Sequence, residues 1–218
     1  MAFENPQASL PSNDPYATYV NASCFEFLLI ELVPMAYRMA AELATREQEW
    51  LGNKVPKEVE SMTSGFGIGG IGGSVAGMDE DETREQVFFR LESLGYRVGL
   101  GLVERFSRDK PRFTDTLDAI KFLCKDLWVI VFRKQIDNLK TNHRGIYVLT
   151  DNTFKPLTKM SLERGRDGMM AQAQPFLYFP AGVIRGALAA MGINATVQAE
   201  CSEIPSATFQ IRSIGAKP

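Results

Sequence analysis

Two apolar stripes run side by side through the first hydrophobic stretch of the chain. Leu28, Leu32, Met35, Met39 and Leu43 recur at helical spacing, and Phe25, Leu29, Val33, Ala36 and Ala40 form a second row beside them. At about 100° per residue the two rows together span roughly 160° of the helix circumference. A helix lying on its own core needs an apolar arc only a little above 100°. The excess predicts a second packing partner, either another local helix or another protein. Ser23 followed by Glu26 has the spacing of a capping box and predicts the helix start. Pro34 is expected to kink this helix or to remove one of its hydrogen bonds.

Residues 45–82 turn polar, then glycine-rich, then acidic, and read as an insertion. Helical periodicity resumes with Val87, Leu91, Leu94, Val98, Leu102 and Phe106 and ends before Pro111. Gly95 and Gly99 lie four apart in it and leave a bare patch where another backbone can approach. A third helix is expected near Asp115, whose carboxylate can cap it, with Asp118 in the first turn. Its apolar face is Leu117, Ile120, Cys124, Leu127, Trp128 and Val131. Two β-like runs then flank "NHRG", where Gly145 suits the left-handed position of a hairpin turn. "AGVIRGALAAMG" predicts a short helix with Gly182, Gly186 and Ala190 on one side and Gly192 as its stop. The end alternates with period two: Val197 and Ala199 against Gln198 and Glu200, then Phe209 and Ile211 against Gln210 and Arg212.

The order is three helices, a hairpin, a helix and two strands. It predicts an α+β, two-layer domain with helices on an antiparallel sheet, not the strand–helix alternation of a doubly wound fold. Length agrees: 218 residues suffice for one core plus an insertion. Residues 1–20, rich in Pro, Ser and Asn, are expected to be a disordered tail, and 21–218 a single domain. A net charge of −2 argues against a nucleic-acid binder. The start has no secretory signal pattern. The longest apolar run carries Glu26, Glu31 and Arg38, which disqualifies it as a membrane span. A reduced, cytosolic protein is the expectation.

The chemistry-bearing residues form no catalytic constellation. In "TSGFGIGGIGGSVAGM", residues 63–78, no lysine follows the glycines and no buried strand precedes them. A Walker loop needs the first and a dinucleotide fingerprint the second, so the stretch is read as a spacer. Cys24, Cys124 and Cys201 are too scattered for a disulfide framework or zinc spacing. Cys124 falls on an apolar helix face and is expected to be a buried structural thiol. His143, the one histidine, sits in a hairpin turn without a nucleophile or orienting acid nearby. Arg133, Lys134, Lys140 and Arg144 give the hairpin a basic side, a solvated face or a contact for an acidic partner or anionic lipid. No cofactor or metal is expected.

Three stretches carry a family resemblance. "LGYRVGLGLVERF" (94–106) resembles the second-helix motif of the small TRAPP (transport protein particle) subunits. "DAIKFLCKDLWVIVFRKQIDNLKTNHRGIYVLTDN" (118–152) is similar, more specifically, to the branch called subunit six. "FLYFPAGVIRGALAAMGINATV" (176–197) resembles the family's "RGAL" helix and the strand after it. The resemblance implies helices on one face of a twisted antiparallel sheet. It implies a heterodimer with another small TRAPP subunit, contacts with larger subunits, and a role in a vesicle-tethering complex at ER–Golgi and Golgi membranes. That complex acts in exchange on a Rab GTPase; the chain would reach the GTPase through the complex and touch a membrane surface at most indirectly. The best-known small subunit carries an acylated cysteine after the second helix. The corresponding turn here, "SRDKPRFTD", has none, so acylation is not carried over. Relatives usually have a short connection where this chain has residues 45–82.

The expected function is therefore a non-catalytic scaffold subunit. Its partner interface is assigned to Phe25, Leu29, Val33 and Ala40 on the first helix and to Gly95 and Gly99 on the second. The rival is a sensor module holding a small apolar ligand in the helix-on-sheet cavity, which bulky filling by Trp128, Phe132, Phe176 and Phe179 would argue against. A nucleotide-dependent enzyme would have to bind ATP or GTP saturably.

Overall fold

The protein is described here as a computed structural model covering residues 20–50, 80–108, 110–113, 115–142, 145–160 and 166–214. Helix α1 spans Ala22–Trp50 and α2 spans Glu80–Phe106. Both ends of the stretch read as an insertion are thus helical, and residues 51–79 lie outside the described residues, as does the tail before residue 20. The cap of α1 also differs from expectation. The Asn21 side-chain oxygen accepts the Ser23 N–H at 2.9 Å, so Asn21 and not Ser23 satisfies a free amide of the first turn. Glu26, the supposed other half of the box, pairs with Lys159 instead. The helix continues through Pro34.

Helix α3 (Thr116–Phe122) runs through a π turn (Leu123–Leu127) into α4 (Trp128–Phe132). In the π turn the Trp128 N–H donates to the Leu123 carbonyl five residues back. The Cys124 carbonyl accepts from the Ile136 N–H at 3.1 Å, tying the helix to the chain that leads into the sheet. Asp115 precedes α3 as expected but makes no side-chain cap bond; its backbone oxygen accepts from Asp118 and Ala119 instead. Arg133 ends α4 in the left-handed region at φ 61°.

Strands β1 (Asn138–Asn142) and β2 (Ile146–Asp151) form the expected hairpin, with Gly145 at φ 73°. Short helices α5 (Lys155–Thr158) and α6 (Arg166–Ala173) and a 3-10 turn (Gln174–Leu177) lead to α7 (Tyr178–Ala190), which stops before Gly192 at φ 80°. Strands β3 (Ala195–Glu203) and β4 (Ser206–Ser213) close the fold. The four strands pair antiparallel in the order β1-β2-β4-β3, with Leu149 opposite Phe209. Tyr147, Leu149 and Asp151 of β2 and Ala207, Phe209 and Ile211 of β4 are buried, while their alternating neighbours are half-exposed. That is the period-two signature of a sheet covered on one face. The fold is the expected α+β arrangement.

An aromatic cluster packs between helices and sheet. Trp128, Phe132, Phe154 and Phe209 are each at most 2% exposed and stack edge-on or tilted against one another. Of the four residues expected to fill this layer, Trp128 and Phe132 do so, while Phe176 is half-buried and Phe179 is buried against α1 and α2.

Candidate functional site: the uncovered face of the first helix

The α2–α7 crossing decides what α1 can offer a partner. Gly95 and Gly99 of α2 face Gly182 and Gly186 of α7 in a reciprocal pattern. A Cβ on Gly95 would run into the Phe179 carbonyl, and one on Gly99 into the Val183 carbonyl. Likewise, a Cβ on Gly182 would meet Glu92 and one on Gly186 would meet Tyr96. Arg185 reinforces the crossing by gripping both carboxylate oxygens of Glu92 while lying 4.3 Å over the Tyr96 ring. The bare patch around Gly95 and Gly99 is therefore a close-approach site, but its occupant is this chain's own α7. Assigning those two glycines to a partner interface is corrected.

Helix α1 packs on this pair. Val33, Ala36, Ala40 and Ala44 are buried, Ala40 completely, together with Leu32, Val87, Leu91, Phe179 and Val183. Val33 and Ala40 thus belong to the core, and their assignment to a partner is also corrected. Leu29 is half-buried between the two apolar clusters, and Phe25 is 38% exposed. Of the six residues expected to meet a partner, the structure leaves only Phe25 and the edge of Leu29 accessible.

The uncovered surface is the other stripe. Leu28 is 57% exposed and Met39 43%, with Met35 and Leu43 just above a third, while Leu32 alone of this row is buried. The two rows were legible, but their roles were exchanged. Side-chain volume held the missing signal. The buried row carries Ala36, Ala40 and Ala44 at four-residue spacing, which lets helix axes approach closely, whereas the outward row is all Leu and Met. An ion pair between Glu31 and Arg38 at 2.5 Å, with both side chains exposed, lies on the polar side of the same helix. On α2, Phe89 is 69% exposed and Phe88 is 43% exposed, edge-on to Tyr178 at 5.0 Å.

The other sequence candidates take up structural roles or fall outside view. His143 and Arg144 lie outside the described residues. Lys134 turns away from the supposed basic hairpin side. Its ammonium contacts Asp151 at 2.5 Å, Asp137 at 2.8 Å and the Thr153 hydroxyl at 2.8 Å. Asp151, fully buried, also accepts from the Trp128 indole N–H at 2.9 Å. Burial opposes the Lys134 charge, but the bonds to Asp137 and Asp151 outweigh it and hold the ammonium above its ordinary pKa. Cys124 is buried, and burial pushes its thiol up to about 12, as expected of a structural thiol. Among the described residues no helix is long and apolar enough to cross a membrane.

Comparison with known proteins places this geometry. The family model for the transport protein particle (TRAPP) component matches residues 25–214. The chain belongs to the TRAPP component family. Within it, trafficking protein particle complex subunit 6b of Danio rerio is 52% identical over 122 residues, covering 56% of this chain and 76% of that protein. The Homo sapiens subunit 6B is 52% identical over the same length, covering 56% of this chain and 75% of its own. An uncharacterized protein of Schizosaccharomyces pombe is 38% identical over 194 residues, covering 88% of this chain and 64% of that protein. These likenesses put the chain in the subunit-six branch, as the 118–152 stretch implied. A crystal structure of a trafficking protein particle complex subunit 3 from Naegleria fowleri, covalently bound to palmitic acid, superimposes with a TM-score of 0.50. It has 14% identity and covers 62% of this chain and 84% of that one. At that identity the likeness speaks for a shared fold.

Proposed function

We propose that this TRAPP chain is a non-catalytic scaffold subunit of the vesicle-tethering complex and that it pairs with another small TRAPP subunit through the outward stripe of α1. The observation that carries the reading is the row Leu28, Met35, Met39 and Leu43, left accessible on a helix whose neighbouring row is already buried. Phe25 and the accessible edge of Leu29 extend it at one end. Water-facing Leu and Met in a contiguous row is costly for a lone chain and is the usual core of a stable subunit contact. A stable contact of this kind buries about 800 Å² per partner. The four side chains supply its apolar centre, and the Glu31–Arg38 pair borders it.

The wider role follows from the family resemblance. The subunit supports exchange on a Rab GTPase and acts in ER-to-Golgi and Golgi transport, peripheral to those membranes, with residues 21–218 forming one domain around a glycine-rich insertion. The stacked rings of Trp128, Phe132, Phe154 and Phe209 weigh against the ligand-sensor alternative at the centre of the layer. Co-expression with a small TRAPP subunit tests the pairing. The expected result is a one-to-one heterodimer by size-exclusion chromatography with light scattering. A chain that stays monomeric alone and in mixture, at tens of micromolar, refutes the pairing.

A further inference from the structure

We infer that a groove beneath the first turns of α1 is a second docking site, and that it takes an acidic amphipathic helix of a partner protein. The groove has a volume of about 340 Å³ and is partly open to solvent. Its apolar walls come from five helices: Leu29 and Ile30 of α1, Val98 and Leu102 of α2, Ile130 of α4, Pro156 of α5 and Phe179 of α7. At about 100° per residue Ile30 lies across the α1 wheel from Leu28, Met35 and Met39, and half-buried Leu29 lies between them. Phe25 and Leu29 border both this groove and the proposed pairing stripe, whereas Ile30 and the basic residues belong to the groove alone, so variants at Ile30 and at Met39 tell the two occupants apart.

Charge chooses the occupant. Arg133, Lys155 and Lys159 line the groove together with one carboxylate, Glu26. Lys159 is paired with Glu26, and that hydrogen bond, with the nearby charges of Lys159 and Lys155, holds the Glu26 carboxyl below the usual range. Arg133 and Lys155 make no ion pair among the described residues. The rim is thus cationic around an apolar floor. The volume lies at the small end of ligand pockets, roughly 300–1,000 Å³. It suits a pair of bulky anchors one helical turn apart, the usual mode of helix-in-groove recognition. An amphiphile with a single anionic head could satisfy one of the two unpaired cations, and a helix with carboxylates on successive turns can satisfy both. Ile30, 38% exposed, provides an apolar margin for a body longer than the groove.

The test uses the full chain, immobilised, and a phage-displayed library of 16-residue peptides. Enriched peptides should carry Leu, Phe or Met three or four residues apart among Asp and Glu. A fluorescein-labelled copy of the most enriched peptide should then bind in a salt-sensitive way. The surface double variant Lys155→Glu with Lys159→Glu, and separately Ile30→Glu, should each weaken binding at least ~10-fold. Met39→Glu, on the outward stripe, should leave binding unchanged. Circular dichroism checks that each variant is folded. Absence of acidic amphipathic peptides from the selection overturns the inference. So does equal binding by the charge-reversed variant, or saturable uptake of sodium laurate by a chain that selects no such peptide.

Discussion

Gly186 of α7 lies against the backbone of Tyr96 in α2, so close that a methyl group on it would overlap the Tyr96 carbonyl. The obstruction is backbone, which cannot swing aside as a side chain would. Gly186→Ala should therefore push the two helices apart and cost about 3 kcal/mol, the upper range for overpacking. Glycine 101, on the same α2, supplies the control, because a Cβ there meets nothing within 4 Å. Gly101→Ala should stabilise by about 0.5–1 kcal/mol, since alanine loses less backbone freedom in a helix. Thermal unfolding distinguishes the two: Tm is expected to fall by roughly 6–12 °C for the first and to rise by roughly 1–4 °C for the second. Equal shifts would mean that the helices do not cross at these glycines.

The two rows of α1 make opposite predictions. Met39→Glu places a charge where the structure leaves 43% of the side chain in solvent, so the isolated fold should be nearly indifferent to it. The same charge inside a heterodimer core would be desolvated and unpaired, so pairing should be lost. Val33→Glu buries its charge in the chain's own core, where the valine is 2% exposed, and should reduce soluble yield before pairing can be assayed. Circular dichroism and light scattering on co-expressed material read both effects. If Val33→Glu folds normally and only the pairing suffers, the buried and uncovered rows have been assigned the wrong way round.

Much of the fold was legible because its determinants are local. Gly145 and Gly192 take the left-handed angles that their turns require. Phe209 and Ile211 face the core in the alternation that their neighbours suggest. The glycine pairs 95/99 and 182/186 both stood out as small-residue patches. What periodicity could not supply was which patch meets which. That pairing joins residues more than eighty positions apart, and nothing local distinguishes α7 from a foreign helix as the occupant. The same gap exchanged the roles of the α1 rows, since both are apolar and only the volume of Ala36, Ala40 and Ala44 tells which row sits at a close crossing. The π turn at Leu123–Leu127 left the hydrophobic period nearly intact and so gave no warning.

The buried carboxylate of Asp151 ties α4 to the sheet through Trp128 and Lys134. Lys134→Met should cost about 3 kcal/mol, because it leaves a fully buried charge without its cation. The neighbouring Asp137 gives the pH dependence. Burial raises its carboxyl, but the Lys134 ammonium and the Asn152 N–H outweigh that and hold it below the ordinary 3.8. A depressed carboxyl contributes stability above its unfolded value and loses it as pH falls through the folded one. Lys134, held above 10.5, keeps its contribution throughout that range and loses it only in strong alkali. Asp137 is partly solvated, so Asp137→Asn should cost no more than about 1 kcal/mol at pH 7. Urea titrations should show that difference shrinking as pH is lowered below the carboxylate range. A difference that grows on acidification contradicts the assignment.

Thiol reactivity tests the core without altering any residue. Only the thiolate attacks an alkylating reagent, and access multiplies that requirement. Cys24 is exposed on the first turn of α1, Cys201 is half-buried on β3 with burial raising its thiol, and Cys124 lies inside the π turn with its thiol near 12. At pH 8 the Cys124 thiolate is therefore a minute fraction of the total, and its sulfur is sealed from solvent as well. Iodoacetamide followed by peptide mass spectrometry should modify Cys24 first, Cys201 more slowly and Cys124 only after unfolding in urea. Lys125 opposes the Cys124 shift but is outweighed by burial. Native-state labelling of Cys124 at the rate of Cys24 would mean that α3 and α4 do not pack as described. The aromatic cluster around Trp128 would then have to be given up.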